Sequence, residues 1–211
     1  MYELFYYPDN ASLAPHFVLE EIGAPFTLTL VDRTRNAQKS PQYLERNPLG
    51  RIPTLAYGNV VLFESAAICL HLADRHPEAR LAPAVASDAR AHLYKWLMFL
   101  TNTIQPDHMA FFYADRYTAD PRGAVAVSAA AEERLGQAYA AVDAALQREG
   151  PFLLGRDVSV ADFYLLMLIR WGAKQRNHPK HLPGIRRCAE LLLQRASVQR
   201  AAITEQLQPI Y

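Results

Sequence analysis

The pattern of the sequence changes near residue 80, and this change limits the possible folds more than any other feature. Before it, short alternating apolar and polar segments are interleaved with segments of helical periodicity. After Pro83 no segment has the character of a strand, and apolar residues recur at helical spacing. A chain of 211 residues is long enough for one large core or two small ones. We therefore predict two domains, residues 1–80 and 87–211, joined by the short segment 81–87.

The first 80 residues predict the element order strand, helix, strand, helix, strand, strand, helix. Ser12, Ser40 and Ser65 stand at the expected beginnings of the three helices. A right-handed crossover makes the first two strands parallel, whereas a hairpin makes the last two antiparallel. This order is thioredoxin-like. The predicted strands are residues 3–7, 26–31, 54–57 and 60–63, the last two joined by Gly58-Asn59.

The second half of the chain predicts helices only. A long helix begins at Ser87, and Pro106 is expected to end or kink it. The helix predicted over residues 159–173 is apolar on all sides, which places it at the centre of the domain. The fold class is therefore α/β followed by all-α. The remaining predicted helices cover about residues 122–148, 184–195 and 197–208.

Composition excludes several classes of protein. The net charge of +1 lacks the basic excess of a dedicated nucleic-acid binder. Cys69 and Cys188 are far apart, so neither a disulfide framework nor a zinc site is predicted, and no other metal is expected. No apolar run approaches the roughly 20 residues of a membrane-spanning helix, and the first residues do not resemble a secretory signal. We expect a cytoplasmic protein without a nucleic-acid or membrane partner.

Four segments, taken together and in this order, resemble one family. With the thioredoxin-like and helical layout, they make the chain similar to the glutathione transferases, most of all to the bacterial beta class. The resemblance extends over essentially the whole chain. The proline and Glu-Ser segments in this order are specific, whereas each segment alone is weak evidence. The segments are Ser-Leu-Ala-Pro-His at 12–16, Asn-Pro-Leu-Gly-Arg-Ile-Pro-Thr-Leu at 47–55, Phe-Glu-Ser-Ala-Ala-Ile at 63–68 and Ser-Val-Ala-Asp at 159–162.

The resemblance implies a glutathione site built from two of these segments. It implies a cis Ile52-Pro53 bond, beside which the backbone of Ile52 pairs with the cysteinyl backbone of glutathione. It also implies that Ser65 binds the γ-glutamyl carboxylate at a helix start, while Glu64 binds the α-amine. A simple helix cap is the alternative role of Ser65. The fourth segment is a capping box, in which Ser159 and Asp162 support folding and not catalysis.

The carboxylate at the glycine end of glutathione requires a cation. Arg35 stands just after the second strand, where the beta class has a lysine, and its guanidinium is suited to a carboxylate. Lys39 and Arg51 are alternatives, and each of the three is equally well explained as a solvated surface charge.

The chain departs from the beta class at the positions that perform catalysis. Ala11 stands where the class has a cysteine, and Gln105 where it has a histidine, so the resemblance does not extend to covalent disulfide chemistry. A free thiol is only about 3% ionised at pH 7, so the protein must lower the thiol pKa. Ser12 and Asn10, at the start of the first helix, are the predicted donors to the thiolate. Ser12 is equally well explained as a helix cap.

The resemblance further implies that the helical domain contributes a hydrophobic site for an electrophile. Tyr6 and Tyr7 point to opposite faces of the first strand, so only one of them faces a ligand. Packing between helices is the alternative explanation for the aromatic cluster at 111–113. The acceptor-site candidates are Tyr6, His108, Phe112 and Tyr113.

The leading interpretation is a homodimeric glutathione transferase that conjugates the glutathione thiolate to a hydrophobic electrophilic small molecule. Glutathione is then a co-substrate, and no metal takes part. One alternative is glutathione-dependent reduction of disulfides or peroxides. Another is a non-catalytic binding or regulatory protein of the same fold. The segments Ile52-Pro53 and Glu64-Ser65, together with a cation at Arg35, favour an enzyme, because a scaffold has no need of them.

Overall fold

The computed structural model of the protein describes residues 1–209. The chain forms two compact units. One contains residues 1–82 and the segment that begins at Leu193, and the other contains residues 83–192. No helix within the described residues is long and apolar enough to cross a membrane.

A four-stranded mixed sheet is the centre of the first unit. Strand β1 pairs in parallel with β2 and antiparallel with β3, and β3 pairs antiparallel with β4. The spatial order is therefore β2-β1-β3-β4, and the predicted thioredoxin-like arrangement is confirmed. Gly58, with a φ of 51°, takes the left-handed conformation that the tight β3–β4 turn requires. The strands are β1 (Tyr2–Tyr6), β2 (Phe26–Leu30), β3 (Thr54–Tyr57) and β4 (Val60–Phe63).

Within residues 1–209, four α-helices belong to the sheet unit, and the last of them comes from the C-terminal part of the chain. Helix α1 packs against both α3 and α9. Its apolar face, which includes Leu13, Phe17 and Val18, is fully buried. The helices are α1 (Leu13–Ile22), α2 (Pro41–Leu44), α3 (Ser65–Arg75) and α9 (Ala196–Thr204).

The position of α9 differs from the predicted domain boundary, which assigned the whole C-terminal part to the helical domain. Val198 and Ala201 of α9 are buried. The Glu21 carboxylate of α1 accepts hydrogen bonds from Arg195 and Ser197. Helical periodicity predicts a buried face but not its partner, which explains the difference.

The second unit consists of helices. Pro106 does not end the long helical run, because the five-residue π turn Leu100–Ile104 connects α4 to α5. In this turn the Gln105 N–H donates to the carbonyl of Leu100, five residues earlier. The wider turn leaves room for the proline ring, which has no N–H to donate to an earlier carbonyl. The helices are α4 (Asp88–Phe99), α5 (Gln105–Phe112), α6 (Ala124–Glu149), α7 (Val160–Trp171) and α8 (Pro183–Leu193).

Helix α7 is the core of this unit, as predicted, because every residue from Val160 to Ile169 is buried. The predicted capping box begins it: the Asp162 carboxylate accepts the Ser159 N–H at 2.8 Å and the Ser159 hydroxyl at 2.8 Å. The same carboxylate accepts the Leu153 N–H at 2.8 Å. These hydrogen bonds favour the charged form and lower the pKa of Asp162, but burial has the larger effect and raises the pKa to about 6.

Candidate active site

The loop that precedes β3 is fixed by two polar side chains. The hydroxyl of Tyr43 donates to the carbonyl of Arg51 at 2.7 Å, and the amide of Asn47 donates to the same oxygen at 2.8 Å. Gly50 has a φ of 57°, and a Cβ there would lie 2.7 Å from the carbonyl oxygen of Gln38. Only glycine fits at this position without displacing the loop. These contacts determine where Ile52 lies.

Ile52 is buried, with 8% of its surface exposed, and it packs in one cluster with Phe5, Val31 and Tyr43. The Ile52-Pro53 peptide bond is cis, as the resemblance implied. Within residues 1–209, neither the N–H nor the C=O of Ile52 has a hydrogen-bond partner. Buried backbone groups are almost always paired, so this unpaired donor and acceptor are well suited to bind another backbone.

The start of α3 lies one residue before the predicted position. Glu64 is the N-cap, with an exposed side chain and an uncommon φ of 72°, and Ser65 is the first helical residue. Ser65 is buried, and its hydroxyl donates to the carbonyl of Ala11 at 2.7 Å. In the described part of the chain, the N–H groups of Ser65 and Ala66 have no acceptor. They form the positive end of the helix dipole, where an anion is favoured.

Ser12 does not have the surroundings predicted for a thiolate donor. It is fully buried, and its hydroxyl donates to the carbonyl of Tyr7 at 3.1 Å. The same oxygen accepts the N–H of Tyr7 at 3.3 Å, and it makes no capping bond to α1. Its only proton is therefore used inside the protein. A neighbouring backbone carbonyl is a partner that residue spacing does not show.

Asn10, the second predicted donor, has a free amide nitrogen. Its Oδ1 accepts the N–H of Ala11 at 2.8 Å, which fixes the orientation of the half-buried side chain. Among residues 1–209, no acceptor bonds to Nδ2 of Asn10 or to the N–H of Ser12. The turn before α1 thus offers one side-chain donor and one backbone donor.

Tyr6, the last residue of β1, and Tyr7, which follows it, face opposite sides, as predicted, but Tyr7 and not Tyr6 lies near Ile52. Tyr7 packs against the cluster that contains Ile52. Tyr6, the predicted candidate, points to α1, where its ring lies 6.5 Å from the ring of His16. Burial, together with the charge of Glu205, raises the pKa of Tyr6. Alternation along a strand does not tell which face is which.

The three candidate cations differ in how they are held. Arg35 is 86% exposed, and its Nε lies 3.5 Å from the Asp32 carboxylate. The ammonium of Lys39 donates to the carbonyl of Leu49 at 3.0 Å, in the loop that leads to Ile52. Arg51 is exposed, and only its carbonyl is fixed. Lys39 is therefore the cation held beside this loop.

His108, predicted as an acceptor-site residue, lies instead in the core of the helical unit. It is fully buried, and its Nε2 donates to the hydroxyl of Tyr139 at 2.7 Å. That hydroxyl donates in turn to the carbonyl of Leu168 at 2.9 Å, which determines the direction of both bonds. Burial lowers the pKa of His108 to about 3, so the ring is neutral near pH 7. It has no exposed atom to offer a substrate.

The aromatic residues at the end of α5 are half-buried. The ring of Phe112 stacks on His108 at 5.9 Å, which supports a packing role, and Arg116 lies 4.2 Å from the ring centre of Tyr113. Phe111 and Lys174 help to line a groove of about 380 Å³ in the helical unit. Gln105, at the position of the missing histidine, accepts a hydrogen bond from the hydroxyl of Tyr164.

Neither cysteine is a substitute for the one that Ala11 replaces. Cys69 of α3 and Cys188 of α8 are both fully buried. Burial raises the pKa of both thiols, which keeps them protonated and unreactive. Any reactive sulfur at the turn before α1 must therefore come from a ligand.

Known proteins share both the sequence and the fold. The N-terminal domain model of the glutathione S-transferases matches residues 2–74. Glutathione S-transferase GST-4.5 of Xanthomonas campestris is 31% identical over 97% of this chain and 99% of its own. A glutathione-S-transferase structure from Xylella fastidiosa aligns with a TM-score of 0.89 at 30% identity, over 99% of this chain and 100% of its own. A Sulfitobacter glutathione transferase homologue with bound glutathione aligns with a TM-score of 0.91 at 27% identity, over 98% and 99%. The chain therefore belongs to the glutathione S-transferase family and is a transferase.

Proposed function

We propose that the protein binds glutathione and conjugates its thiolate to a hydrophobic electrophile. The observation that most supports this is the unpaired backbone N–H and C=O of buried Ile52. An extended peptide satisfies both groups at once, as one more strand would. The Sulfitobacter homologue, which contains glutathione, supports the same ligand.

The ends of the glutathione molecule bind at two places in this proposal. The γ-glutamyl carboxylate accepts the free N–H groups of Ser65 and Ala66 at the start of α3, and the exposed Glu64 carboxylate binds the α-amine. The hydroxyl of Ser65 already donates to Ala11, so it positions the turn more than it binds the ligand. Lys39, and not Arg35, binds the glycine carboxylate, because it is held on the loop that leads to Ile52.

Activation of the thiol is assigned to the turn before α1. The amide nitrogen of Asn10 and the N–H of Ser12 both donate to the sulfur. Lowering the thiol pKa by two units requires about 2.7 kcal/mol. One hydrogen bond to a charged group supplies about 1.5–3 kcal/mol, so two donors are sufficient. With Ala11 in place of a cysteine, the protein itself forms no mixed disulfide here.

The proposed reaction is a nucleophilic substitution or addition on an apolar molecule. The thiolate forms a carbon–sulfur bond, and in a substitution the leaving group departs with the electron pair of the bond that breaks. The protein contributes position and electrostatic stabilisation. Tyr113, which is half-buried on the helical unit, is the side chain proposed to contact an apolar substrate.

We propose that the protein is a homodimer. Val61 and Phe63 on β4 are 43% and 38% exposed, and Tyr94 and Met98 on α4 are 42% and 47% exposed. Each unit thus carries exposed apolar side chains, and a second copy of the chain is the proposed partner that covers them. Sedimentation equilibrium at micromolar concentration should give twice the mass of the chain, and a monomer would refute the dimer.

Two measurements test the proposed activity. Calorimetric titration with glutathione should show saturable binding, and binding of its sulfonate analogue should compete with it. Turnover is then followed with glutathione and 1-chloro-2,4-dinitrobenzene, in which the carbon–sulfur bond forms as chloride leaves. Cumene hydroperoxide in place of the aryl chloride tests the reductase alternative. Glutathione binding without turnover of any electrophile or peroxide would favour the non-catalytic alternative, and the absence of binding would refute the proposal.

A further inference from the structure

Glu205, just after the end of α9, connects the C-terminal helix to the turn that carries Asn10. Its side chain is fully buried. Oε2 accepts the N–H of Asp9 at 2.9 Å. Oε1 lies 2.7 Å from Nδ1 of His16, within hydrogen-bond distance. One carboxylate thus holds both the turn before α1 and a buried residue within α1.

The bond to Asp9 is made where the backbone of the turn has an uncommon conformation. Asp9 has a φ of 52°, in the left-handed region that residues other than glycine seldom adopt. The Glu205 carboxylate is an external contact that holds the backbone of this residue. A second contact, from the Ser65 hydroxyl to the Ala11 carbonyl, holds the other side of the same turn. Asn10 lies between these two contacts.

We propose that Glu205 is a positioning residue for thiol activation. By holding Asp9, it sets the direction in which the Asn10 amide and the Ser12 N–H donate. The inference rests on the proposed function, because it concerns the same thiol, but it assigns a role to a residue at the opposite end of the sequence.

Glu205 could act through its position or through its charge, and the two roles change the pKa of bound glutathione in opposite directions when the residue is replaced. The titratable groups around the Glu205 carboxylate are Tyr6, His16 and Glu20, the last 3.9 Å from Nε2 of His16. A nearby negative charge disfavours a thiolate, so loss of the carboxylate charge alone would lower the pKa of bound glutathione. Loss of the positioning contact instead raises that pKa, because the donors no longer point to the sulfur.

Three variants separate these effects. Glu205→Ala removes both contacts. Glu205→Gln removes the charge but keeps a carbonyl oxygen for the Asp9 N–H and an amide that pairs with the neutral form of His16. Glu21→Ala is the matched control, because it removes the contacts of α1 with Arg195, the N-cap of α9, and with Ser197 of α9 without touching Asp9.

The experiment measures the pKa of enzyme-bound glutathione from its thiolate absorbance and from the pH profile of kcat/KM, together with thermal unfolding. Glu205→Ala should raise the thiol pKa by about one unit, which lowers the thiolate fraction about tenfold at pH values well below that pKa. Glu205→Gln should leave the thiol pKa at or slightly below the wild-type value, because it loses the charge but keeps the positioning contact. Glu21→Ala should lower Tm but leave the profile unchanged.

Two results would overturn the inference while leaving the proposed function intact. One is an unchanged or lowered thiol pKa in Glu205→Ala. The other is an equal rise of the thiol pKa in Glu21→Ala, which would mean that any loosening of α9 has the same effect. A wild-type protein that binds no glutathione, or binds it only as the thiol, would overturn the proposed function and this inference together.

Discussion

The hydroxyl of Ser12 forms a closed ring with the backbone of Tyr7, donating to its carbonyl at 3.1 Å and accepting its N–H at 3.3 Å. Ser12→Ala leaves both backbone groups without this partner in a buried place. We expect the free energy of unfolding to fall by about 1–3 kcal/mol, as for other unsatisfied buried groups. The thiol pKa of bound glutathione should not change. Denaturant unfolding and thiolate absorbance measure the two quantities, and a raised thiol pKa with unchanged stability would contradict this role.

Asn10 is the side chain whose replacement should change thiol activation. Asn10→Asp keeps an acceptor for the Ala11 N–H but puts a charged oxygen in place of the free amide nitrogen. The thiol pKa of bound glutathione should rise by about one unit or more, because a donor is lost and a like charge is added. The pH profile of kcat/KM reports this shift. Asn10→Ala, which adds no charge, should give a smaller rise, and no rise in either variant would leave activation to the backbone alone.

Lys39 and Arg35 make a matched pair for testing which cation binds the glycine carboxylate of glutathione. Lys39→Ala should weaken glutathione binding about tenfold, which corresponds to about 1.4 kcal/mol. Arg35→Ala should change it less than about twofold, because this guanidinium is 86% exposed and its nearest carboxylate is Asp32. Calorimetric titration of both variants decides between them. The opposite order would restore Arg35 to the position that the beta class implies.

His108 should make the helical unit sensitive to acid. Its pKa is about 3 in the folded protein, against an ordinary value of 6.5. As the pH falls below 6.5, the unfolded chain takes up a proton here and the folded protein does not, so stability falls by up to about 1.4 kcal/mol per pH unit from this group. His108→Gln should flatten the slope of unfolding free energy between about pH 6 and pH 4.

The control for this slope is His92→Gln, since His92 lies exposed on α4 of the same unit. This variant should keep the slope of the wild type. An equal slope in wild type and His108→Gln would show that the proton is taken up elsewhere.

Local patterns predict the strands, their order and most helices, because alternation, turn residues and caps act over a few neighbouring residues. The capping box of Ser159 and Asp162 is one such local device, and its bonds are present in the structure. The predictions that differ depend on partners far away along the chain. The pattern around residue 197 shows an apolar face but not that α1 covers it, and nothing near His108 indicates Tyr139 as its neighbour.

The candidate site was predictable to a similar extent. Ile52, Glu64 and Ser65 are identified by the order of the segments that contain them. The choice between Asn10 and Ser12 depends on a backbone carbonyl, which no residue pattern reveals. Glu205 carries no signal at all in the sequence, because a single glutamate near the end of a chain is normally a solvated charge.

The docking of α9 on α1 bears on how the protein is synthesised. A ribosome releases the sheet and α1 well before α9, which packs against α1, and before the Glu205 carboxylate, which holds Asp9. The glutathione-binding half therefore does not reach its native form as a nascent chain, although it is the first half to be translated. A stop codon near residue 195 would remove α9 and would leave that half incomplete. Quality control in the cell meets this protein as an unfinished N-terminal domain until α9 has been translated.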